Sequence, residues 1–245
     1  MSTKKLILIT GGTRGLGYQI ALECLALGYK IIVTSTKNKT KKNILNYFPN
    51  NINDIDHYVL DQSNEKSISN FLFNINKYYA KVDVLINNAG VNKREAFEDI
   101  SIKSYNSILD TNLKGPFFLT QGLYHLLKKD SGGRIINIAS VAGQYHGPFT
   151  AHYAISKAGL ISFTKFIARY GAKDNIYCNA LCPGLIRTDQ TLDEFETTGN
   201  DIINMTLLKR EGTYSDIRSS IKFLLDENQK YYTGQTINLS GGAIL

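Results

Sequence analysis

Short apolar segments alternate with amphipathic segments along most of the chain, and this alternation restricts the possible folds more than any other feature. The apolar segments are rich in Val and Ile without regular polar interruptions, as expected for parallel strands covered by helices on both sides. The order predicts right-handed βαβ units in a doubly wound, seven-stranded parallel sheet with helices on both faces. The predicted strands are Leu6–Thr10, Ile31–Ser35, His57–Leu60, Val82–Asn87, Arg134–Ala139, Ile176–Leu181 and Thr236–Leu239, and the predicted helices are Gly15–Leu27, Lys39–Tyr47, Glu65–Tyr79, Ser104–Lys128, His152–Tyr170 and Ser215–Leu225.

We predict a single α/β domain over residues 1–245, because the sequence contains no internal repeat, no low-complexity tract and no linker rich in Pro, Gly or Ser. Its least regular stretch, Arg187–Lys209, is polar and follows a predicted strand end. Open α/β sheets bind ligands beyond the carboxyl ends of their strands. We therefore expect a substrate lid around residues 187–209.

The charge and the cysteines limit the classes of partner. The net charge of +7 comes from scattered basic residues, and the one cluster, in residues 37–42, lacks the interleaved aromatics of a single-strand binder. The apolar run near the N-terminus is far too short to span a membrane, and three cysteines without a C-x-x-C pair favour a reducing cytoplasm. No cluster of residues has metal-ligand spacing. These features predict a cytoplasmic protein that binds no metal, membrane or nucleic acid.

A glycine-rich turn follows the first predicted strand and opens the first predicted helix. Glycines let the backbone approach a pyrophosphate closely, and a helix N-terminus offers free N–H donors and the positive end of its dipole. The strand–turn–helix context therefore predicts a dinucleotide site. The residues expected to contact the cofactor here are Gly11, Thr13, Arg14, Gly15, Leu16 and Gly17.

The end of the second predicted strand indicates which dinucleotide is bound. A site for NAD usually has an Asp or Glu here for the ribose 2′-hydroxyl. This strand ends in Ser35, Thr36 and Lys37, and the first acidic residue after it is Asp54. Hydroxyls and a cation accept a 2′-phosphate that a carboxylate would repel, and Arg14 can approach the same group from the glycine turn. The sequence therefore predicts NADP(H).

Tyr153 and Lys157 are four residues apart in a predicted helix and project from one face. A phenol has a pKa near 10, and a nearby ammonium favours its ionised form, which makes Tyr153 a competent proton donor and acceptor. Ser140 directly follows the fifth predicted strand, where its hydroxyl can bind a substrate carbonyl beside Tyr153. These three residues predict proton transfer at a substrate oxygen.

The order and spacing of these motifs resemble the short-chain dehydrogenase/reductase family across essentially the whole chain. Besides the glycine turn, Ser140, Tyr153 and Lys157, the resemblance includes Asn87-Asn88-Ala89-Gly90, Thr111-Asn112, Pro183-Gly184, Thr233-Gly234-Gln235 and Gly241-Gly242. It implies a Rossmann fold, an NADP(H)-dependent oxidoreductase acting on C=O or CH–OH groups, and a homotetramer.

The resemblance also implies a role for each residue. Tyr153 would be the general acid, Lys157 would hold the nicotinamide ribose and lower the phenol pKa, and Ser140 would orient the carbonyl. Asn112 would kink its helix and anchor a water that relays protons to Lys157. The remaining cofactor contacts would come from Asp61 and Gln62 near the adenine, Asn88, Ala89 and Gly90 along the adenosine ribose, and Pro183, Gly184, Ile186 and Thr188 at the carboxamide.

Within the family, the segment Tyr153–Phe163 looks most like the 3-oxoacyl-carrier-protein reductases of fatty-acid synthesis, which implies a 3-oxoacyl thioester substrate. Those enzymes often carry Arg at two positions that receive the acyl carrier protein. This chain aligns Ser131 and Asp174 there, so carrier-protein docking stays open.

Two alternatives remain. The polar segment with Tyr145, His146 and His152 would suit a hydroxylated or cyclic ketone, such as a sugar derivative. A non-catalytic dinucleotide-binding module would be marked by loss of Tyr153 or Lys157, and the sequence retains both.

Overall fold

The computed structural model describes residues 4–37, 48, 52–130, 132–145, 150–187 and 203–244. Seven parallel strands form one sheet: β1 (Leu6–Ile9), β2 (Lys30–Ser35), β3 (Ile55–Val59), β4 (Val84–Asn87), β5 (Arg134–Ile138), β6 (Tyr177–Pro183) and β7 (Thr236–Leu239). Their order in the sheet is β3-β2-β1-β4-β5-β6-β7. The doubly wound parallel sheet predicted from the sequence is confirmed.

Helices cover both faces of the sheet: α1 (Gly15–Ala26), α2 (Glu65–Tyr78), α3 (Ile102–Leu109), α4 (Gly115–Leu127), α5 (Ala151–Gly171) and α6 (Tyr214–Leu225). The long helix predicted over Ser104–Lys128 is instead α3 and α4 joined by a π-helical turn, Asp110–Lys114. Helix α3 begins at Ile102, and not at Ser104, because Ser101 is its N-cap. The Ser101 side chain accepts a hydrogen bond from the backbone N–H of Ser104. The predicted helix Lys39–Tyr47 lies outside the described residues.

Six of the seven predicted strands differ from the observed strands by one or two residues at an end, because pairing with neighbours sets strand length. β3 begins at Ile55, opposite Ile31 of β2, and not at His57. β6 continues to Pro183, which lies opposite Leu239 of β7. The apolar pattern of a single segment does not show which residues of the neighbouring strands it pairs with.

The core consists of two apolar layers, one on each face of the sheet. Alternate strand residues contribute to each layer: Ile7 and Ile9 pack with α1 and α6, whereas Leu8 and Leu85 pack with α2, α4 and α5. This alternation explains why the strands are apolar throughout. Within the part of the chain that the structure describes, no helix is both long and apolar enough to cross a membrane.

The sheet places the candidate site at its carboxyl edge. β1 lies between β2 and β4, so the chain reverses direction across the sheet at β1. In such sheets a crevice opens at this reversal, and ligands bind there. The glycine turn after β1 lies at this edge. The segments that follow β4, β5 and β6 also begin there.

Candidate active site

The glycine turn between β1 and α1 has the geometry of an anion cradle. Gly11 and Gly15 have φ values of 65° and 51°, which L side chains rarely adopt. A Cβ at Gly17 would lie 2.3 Å from the carbonyl oxygen of Gly11, so only glycine permits this packing. The first turn of α1 contains no acidic residue and its N-cap, Arg14, makes no side-chain capping bond. Backbone N–H groups therefore remain at the positive end of the helix for a pyrophosphate.

Neighbouring strands hold this turn in place. The hydroxyl of Thr34 in β2 accepts a 3.1 Å hydrogen bond from the N–H of Gly11. The side-chain amide of Asn88, after β4, donates to the carbonyl oxygen of Thr10 at 2.9 Å. The backbone N–H groups of Asn88 and Ala89 both donate to the hydroxyl of Thr10, each at 3.0 Å. These hydrogen bonds join the turn to β2 and to the segment after β4.

The end of β2 carries hydroxyls and a cation. The Ser35 hydroxyl donates to the Lys37 carbonyl oxygen at 2.8 Å and lies 2.9 Å from Nε2 of His57. Thr36 and Lys37 are exposed at this end of the strand, as is Arg14 on the glycine turn. This set of donors fits the 2′-phosphate of NADP(H) better than the bare 2′-hydroxyl of NAD(H).

The residues predicted around the adenosine have mainly structural contacts in this structure. The Asp61 carboxylate accepts hydrogen bonds from the N–H and the hydroxyl of Ser63 at 2.9 and 2.7 Å. Gln62 is buried, and its amide donates to the carbonyl oxygens of Thr111 and Ala89 at 3.0 and 3.4 Å. Gln62 therefore ties the segment after β3 to the segment after β4, and contact of its side chain with an adenine stays a prediction.

The segment after β6 reaches the same edge of the sheet. Gly184 donates its N–H to the carbonyl oxygen of Leu239 at 2.9 Å, and Ile186 is buried and bridges Gly212. Pro183 is the last residue of β6. Thr188 and most of the predicted lid, residues 188–202, lie outside the described residues.

Lys157 is buried at the centre of the site. Only 4% of it is exposed, and its Nζ donates a 2.8 Å hydrogen bond to the carbonyl oxygen of Ile138, the last residue of β5. Burial lowers the pKa of Lys157 from 10.5 to about 8. The side chain is therefore an ammonium at neutral pH, in a position fixed by the sheet.

Tyr153 lies one helical turn before Lys157, as its sequence spacing predicts. The Nζ atom of Lys157 is 5.6 Å from the centroid of the Tyr153 ring. At this distance the ammonium lies beside the aromatic ring of Tyr153. The phenol is half-buried, so it remains accessible to a substrate.

Ser140 follows β5, and its hydroxyl oxygen accepts a 3.1 Å hydrogen bond from the N–H of Ala142. This bond starts a short 3-10 turn, Val141–Gly143. Gly143 packs on the backbone of Lys157, where a Cβ would lie 2.6 Å from the carbonyl carbon. The turn that follows Ser140 therefore packs against α5 at Lys157.

Asn112 lies in the π-helical turn and is completely buried. Its Oδ1 accepts a 2.8 Å hydrogen bond from the N–H of Val91, and its Nδ2 donates to the Val91 carbonyl oxygen and to the Ser156 hydroxyl, at 2.9 and 3.0 Å. A Cβ at Gly90 would be 3.2 Å from Asn112 Oδ1 and 3.4 Å from Lys157 Nζ, so both side chains converge on Gly90. The helix interruption is present, whereas the bound water stays a prediction.

The polar residues predicted at the substrate, Tyr145, His146 and His152, do not share one environment. Tyr145 is 47% exposed beyond the 3-10 turn. His152 is buried and faces Glu95 and Ser104, and His146 lies outside the described residues. Asp174 accepts a 2.6 Å hydrogen bond from the Tyr124 hydroxyl, whereas Ser131 is not among the described residues.

Several residues that support the site were not identified in the sequence. Ser156 donates to the Tyr153 carbonyl oxygen at 2.7 Å and also receives the Asn112 amide. Cys182 of β6 is buried near Lys157, and burial raises the pKa of its thiol to about 11. Ser156 could have been noticed in the sequence as a polar residue near Tyr153 on a largely apolar face of the helix. Glu95 offered no such signal, because its partner is far away in the chain.

A family model described as short chain dehydrogenase matches residues 5–199. This span is most of the chain and contains the glycine turn, Asn112, Ser140, Tyr153 and Lys157. The chain belongs to the short-chain dehydrogenase/reductase family, and it is an oxidoreductase acting on C=O or CH–OH groups.

Two bacterial reductases are similar to this chain along almost its whole length. The 3-oxoacyl-[acyl-carrier-protein] reductase FabG of Salmonella typhimurium is 35% identical over 238 residues, covering 97% of this chain and 96% of that protein. The acetoacetyl-CoA reductase of Acinetobacter sp. is 33% identical, with 99% and 98% covered.

Two solved structures have closely similar folds. ElxO with NADP bound has a TM-score of 0.91 at 31% identity, covering 98% of this chain and 99% of that one. A 4-hydroxyisoleucine dehydrogenase complexed with NADH has a TM-score of 0.90 at 29% identity, covering 98% of each chain. Relatives with the same fold therefore differ in the nicotinamide cofactor present in their structures.

Proposed function

We propose that this chain catalyses NADP(H)-dependent reduction of a carbonyl to a secondary alcohol, with a 3-oxoacyl thioester as substrate. The observation that carries the proposal is the buried Lys157 ammonium, hydrogen-bonded to the Ile138 carbonyl oxygen and 5.6 Å from the Tyr153 ring centroid. A lysine is rarely buried unless it is paired or functional. Here it lies where it can tune a phenol at the ligand-binding edge of the sheet.

The residues of the chain manage the proton and the substrate position. Ser140 donates its hydroxyl hydrogen to the substrate carbonyl oxygen and polarises it. Tyr153 gives its proton to the same oxygen as negative charge develops there, and Lys157 stabilises the phenolate that remains. The bound nicotinamide supplies the hydride. The reaction therefore needs Tyr153 protonated and Lys157 charged at its start.

Replacing the acid tests this assignment. Tyr153→Phe removes only the hydroxyl and should lower kcat by about 10²- to 10⁴-fold, the usual contribution of a general acid. NADPH binding, measured by fluorescence titration, should stay within a few-fold of wild type. Tyr170→Phe removes a hydroxyl from the exposed end of the same helix and is the matched control. Substantial turnover by Tyr153→Phe would contradict the assigned acid.

Support for NADP(H) comes from the end of β2 and from Arg14. Thr36→Asp would set a carboxylate against the 2′-phosphate, and we expect the ratio of kcat/KM values for NADPH and NADH to fall by about 10-fold or more, equivalent to ~1.4 kcal/mol. Thr36→Asn introduces a side chain of the same shape as Asp without its charge. It should leave the ratio of kcat/KM values for NADPH and NADH nearly unchanged. An unaltered ratio in Thr36→Asp would contradict this placement of the 2′-phosphate.

Two of the relatives, the 3-oxoacyl-[acyl-carrier-protein] reductase and the acetoacetyl-CoA reductase, are named for thioester substrates. This similarity supports a 3-oxoacyl thioester as the substrate of this chain. The Asp174 carboxylate, held by the Tyr124 hydroxyl, is an anion where docking to an acidic carrier protein would need a cation. We therefore propose the CoA thioester over the carrier-protein thioester. Initial rates with acetoacetyl-CoA and with acetoacetyl-carrier protein under NADPH decide between them, since we expect the larger kcat/KM for the CoA ester.

A polar ketone is the second candidate, favoured by the exposure of Tyr145 just beyond the turn that carries Ser140. A panel of keto-sugars and cyclic ketones in the same assay tests it. Turnover of such a ketone with a larger kcat/KM than acetoacetyl-CoA would replace the thioester proposal. Turnover of none of these carbonyls would favour the non-catalytic dinucleotide-binding module.

We also propose a single-domain, cytoplasmic homotetramer. Support for the assembly comes from aromatic side chains exposed on α4 and α5, namely Phe117, Phe118, Phe166 and Tyr170. Exposed apolar patches of this kind typically mark protein interfaces. The three cysteines are buried and unpaired, which agrees with a reducing compartment.

A further inference from the structure

A cluster of polar residues joins the β4–α3 loop (residues 88–101) to the start of α5. Nε2 of His152 lies 3.3 Å from Oε2 of Glu95 and 3.4 Å from the Ser104 hydroxyl, which itself donates to Glu95 Oε2. The other carboxylate oxygen of Glu95 accepts from Nζ of Lys93 at 2.7 Å. The His152 side chain is fully buried and precedes Tyr153 directly. The mechanism derived above does not use this cluster.

The hydrogen-bond pattern assigns the proton on Nε2. A carboxylate only accepts, and the single hydroxyl hydrogen of Ser104 is already given to Glu95, so both neighbours of Nε2 are acceptors. Nε2 therefore carries a hydrogen in either protonation state of His152. The Glu95 pKa is lowered by hydrogen bonds from Lys93 and Ser104, which keeps it a carboxylate at neutral pH. The Glu95 carboxylate thus lies within ion-pair distance of the His152 ring, 3.3 Å from Nε2, and Ser104 contacts both side chains.

This contact anchors the turn of α5 that carries Tyr153. Tyr153 is the third residue of the helix, within the turn where helices fray. The side chain of the N-cap residue makes no capping bond, and the first turn contains no acidic residue. The carboxylate at this end of α5 comes from Glu95 in another segment, where it also interacts favourably with the helix dipole.

The same loop is fixed at its beginning by the catalytic machinery. Asn112 binds both backbone groups of Val91, and four residues later Glu95 contacts His152 and Ser104. Lys157, one turn after Tyr153, is fixed separately by β5. Tyr153 therefore lies between two anchors, Lys157 on the C-terminal side and His152 on the N-terminal side.

We propose that His152 is a positioning residue for Tyr153, and that the contact of its Nε2 atom with Glu95 and Ser104 holds the first turn of α5 against the β4–α3 loop. The inference rests on the proposed function, in which Tyr153 is the acid. Losing this contact lets the phenol move relative to the substrate oxygen, which lowers the rate of the chemical step and leaves the distant pyrophosphate site intact. A displacement of about 1 Å can lower a rate by up to about 100-fold.

Five single variants test the proposal. His152→Leu removes the donor and His152→Gln restores an N–H near Nε2. Glu95→Ala removes the carboxylate, and Glu95→Gln keeps an accepting oxygen at the same position. Glu98→Ala removes an exposed acid from the same loop and is the matched control. For each, kcat and KM with acetoacetyl-CoA and the Kd for NADPH are measured, together with the midpoint of urea unfolding.

We expect His152→Leu and Glu95→Ala to lower kcat between about 10- and 100-fold at an unchanged Kd for NADPH. His152→Gln and Glu95→Gln should return kcat to within a few-fold of wild type. The double variant Glu95→Ala/His152→Leu should be no slower than either single one, because both remove the same contact. Additive losses, or a lowered unfolding midpoint with kcat retained, would overturn the positioning role. If His152→Leu does not fold, the Glu95 pair gives the same comparison.

Hydrogen exchange provides a readout that needs no substrate. Backbone amides of residues 151–155 should exchange faster in His152→Leu and Glu95→Ala than in wild type and Glu98→Ala, whereas amides near Ala168 should not. Equal exchange in all variants would overturn the proposal. If wild type reduces no ketone, the proposed function fails while hydrogen exchange still decides whether the Glu95–His152 contact anchors α5.

Discussion

At the scale of single residues, the site depends on a lysine placed in surroundings that disfavour its charge. Lys157 is enclosed by apolar strand ends and packed helix, and burial holds its pKa near 8. In the proposed mechanism, the ammonium is nevertheless the form that stabilises the Tyr153 phenolate. The protein therefore loses stability at this position in order to keep a cation beside the phenol, as is common for catalytic groups.

The burial of the charged Lys157 side chain predicts how the stability of the protein depends on pH. The pKa of Lys157 is about 8 in the folded protein and near its ordinary 10.5 in the unfolded chain, so between these pH values the unfolded state binds more protons. Stability then rises with pH. Relative to Lys157→Met, the unfolding free energy of wild type should increase by ~3 kcal/mol between pH 8 and pH 10.5, at about 1.4 kcal/mol per pKa unit.

Urea unfolding of both proteins across this pH range measures the difference, in which the other titrating groups cancel. Lys165→Met, which removes an exposed lysine from the same helix, is the control. Parallel stability curves for wild type and Lys157→Met would contradict the lowered pKa. Turnover should be lost in Lys157→Met at every pH.

At the scale of secondary-structure elements, the π-helical turn between α3 and α4 determines where Asn112 points. The turn uses wider i→i+5 hydrogen bonding, which is frequent at functional sites. Through this turn Asn112 reaches both backbone groups of Val91 and the Ser156 hydroxyl. One amide thereby joins the helical layer, the β4–α3 loop and α5.

Asn112→Ala should therefore destabilise the protein and reduce turnover together. It removes three hydrogen bonds and leaves backbone groups of Val91 without their partner, which should lower the unfolding free energy by about 2–4 kcal/mol. Urea unfolding and kcat measure the two effects. Asn106→Ala, on the exposed side of α3, should change neither. An Asn112→Ala protein with wild-type stability would show that these bonds contribute nothing net.

The sequence predicts elements well where the signal is local. The strands, the glycine turn and the shared face of Tyr153 and Lys157 follow from spacing and apolar pattern alone. The π-helical turn does not, because helical periodicity continues through Ser104–Lys128 without a glycine or proline before Gly115. The Glu95–His152 contact joins residues 57 positions apart in the chain. Such a contact depends on how elements pack, which no local pattern contains.

At the scale of the whole molecule, α4 and α5 carry four exposed aromatic side chains, Phe117, Phe118, Phe166 and Tyr170. Phe166 stacks on Tyr170 with ring centroids 5.8 Å apart, and Tyr124 contacts Tyr170 at 5.3 Å. Phe117 packs on Phe163 at 5.1 Å. A surface of this composition suits contact with the same surface of a second copy around a two-fold axis.

Phe166→Glu should therefore dissociate the proposed homotetramer into smaller species, since it introduces a charge into an apolar contact. Light scattering coupled to size exclusion measures the molar mass. Phe73→Glu, which alters an equally exposed phenylalanine on α2, should keep the wild-type mass. An unchanged mass for Phe166→Glu would place any interface elsewhere.

The hydrogen bond from Lys157 to the Ile138 carbonyl oxygen has a consequence for how this site tolerates mutation. Its acceptor is a peptide oxygen, which all twenty amino acids carry, so no side-chain replacement at position 138 deletes it. The same holds for the Val91 carbonyl oxygen that accepts from Asn112, whereas the Val91 N–H that donates to Asn112 is present in every residue except proline. The side chains at positions 91 and 138 can therefore drift during evolution while the two contacts persist, provided that the sheet and the loop keep their paths. Apart from proline at position 91, only insertions, deletions or substitutions that move the backbone disturb these hydrogen-bond partners of Lys157 and Asn112.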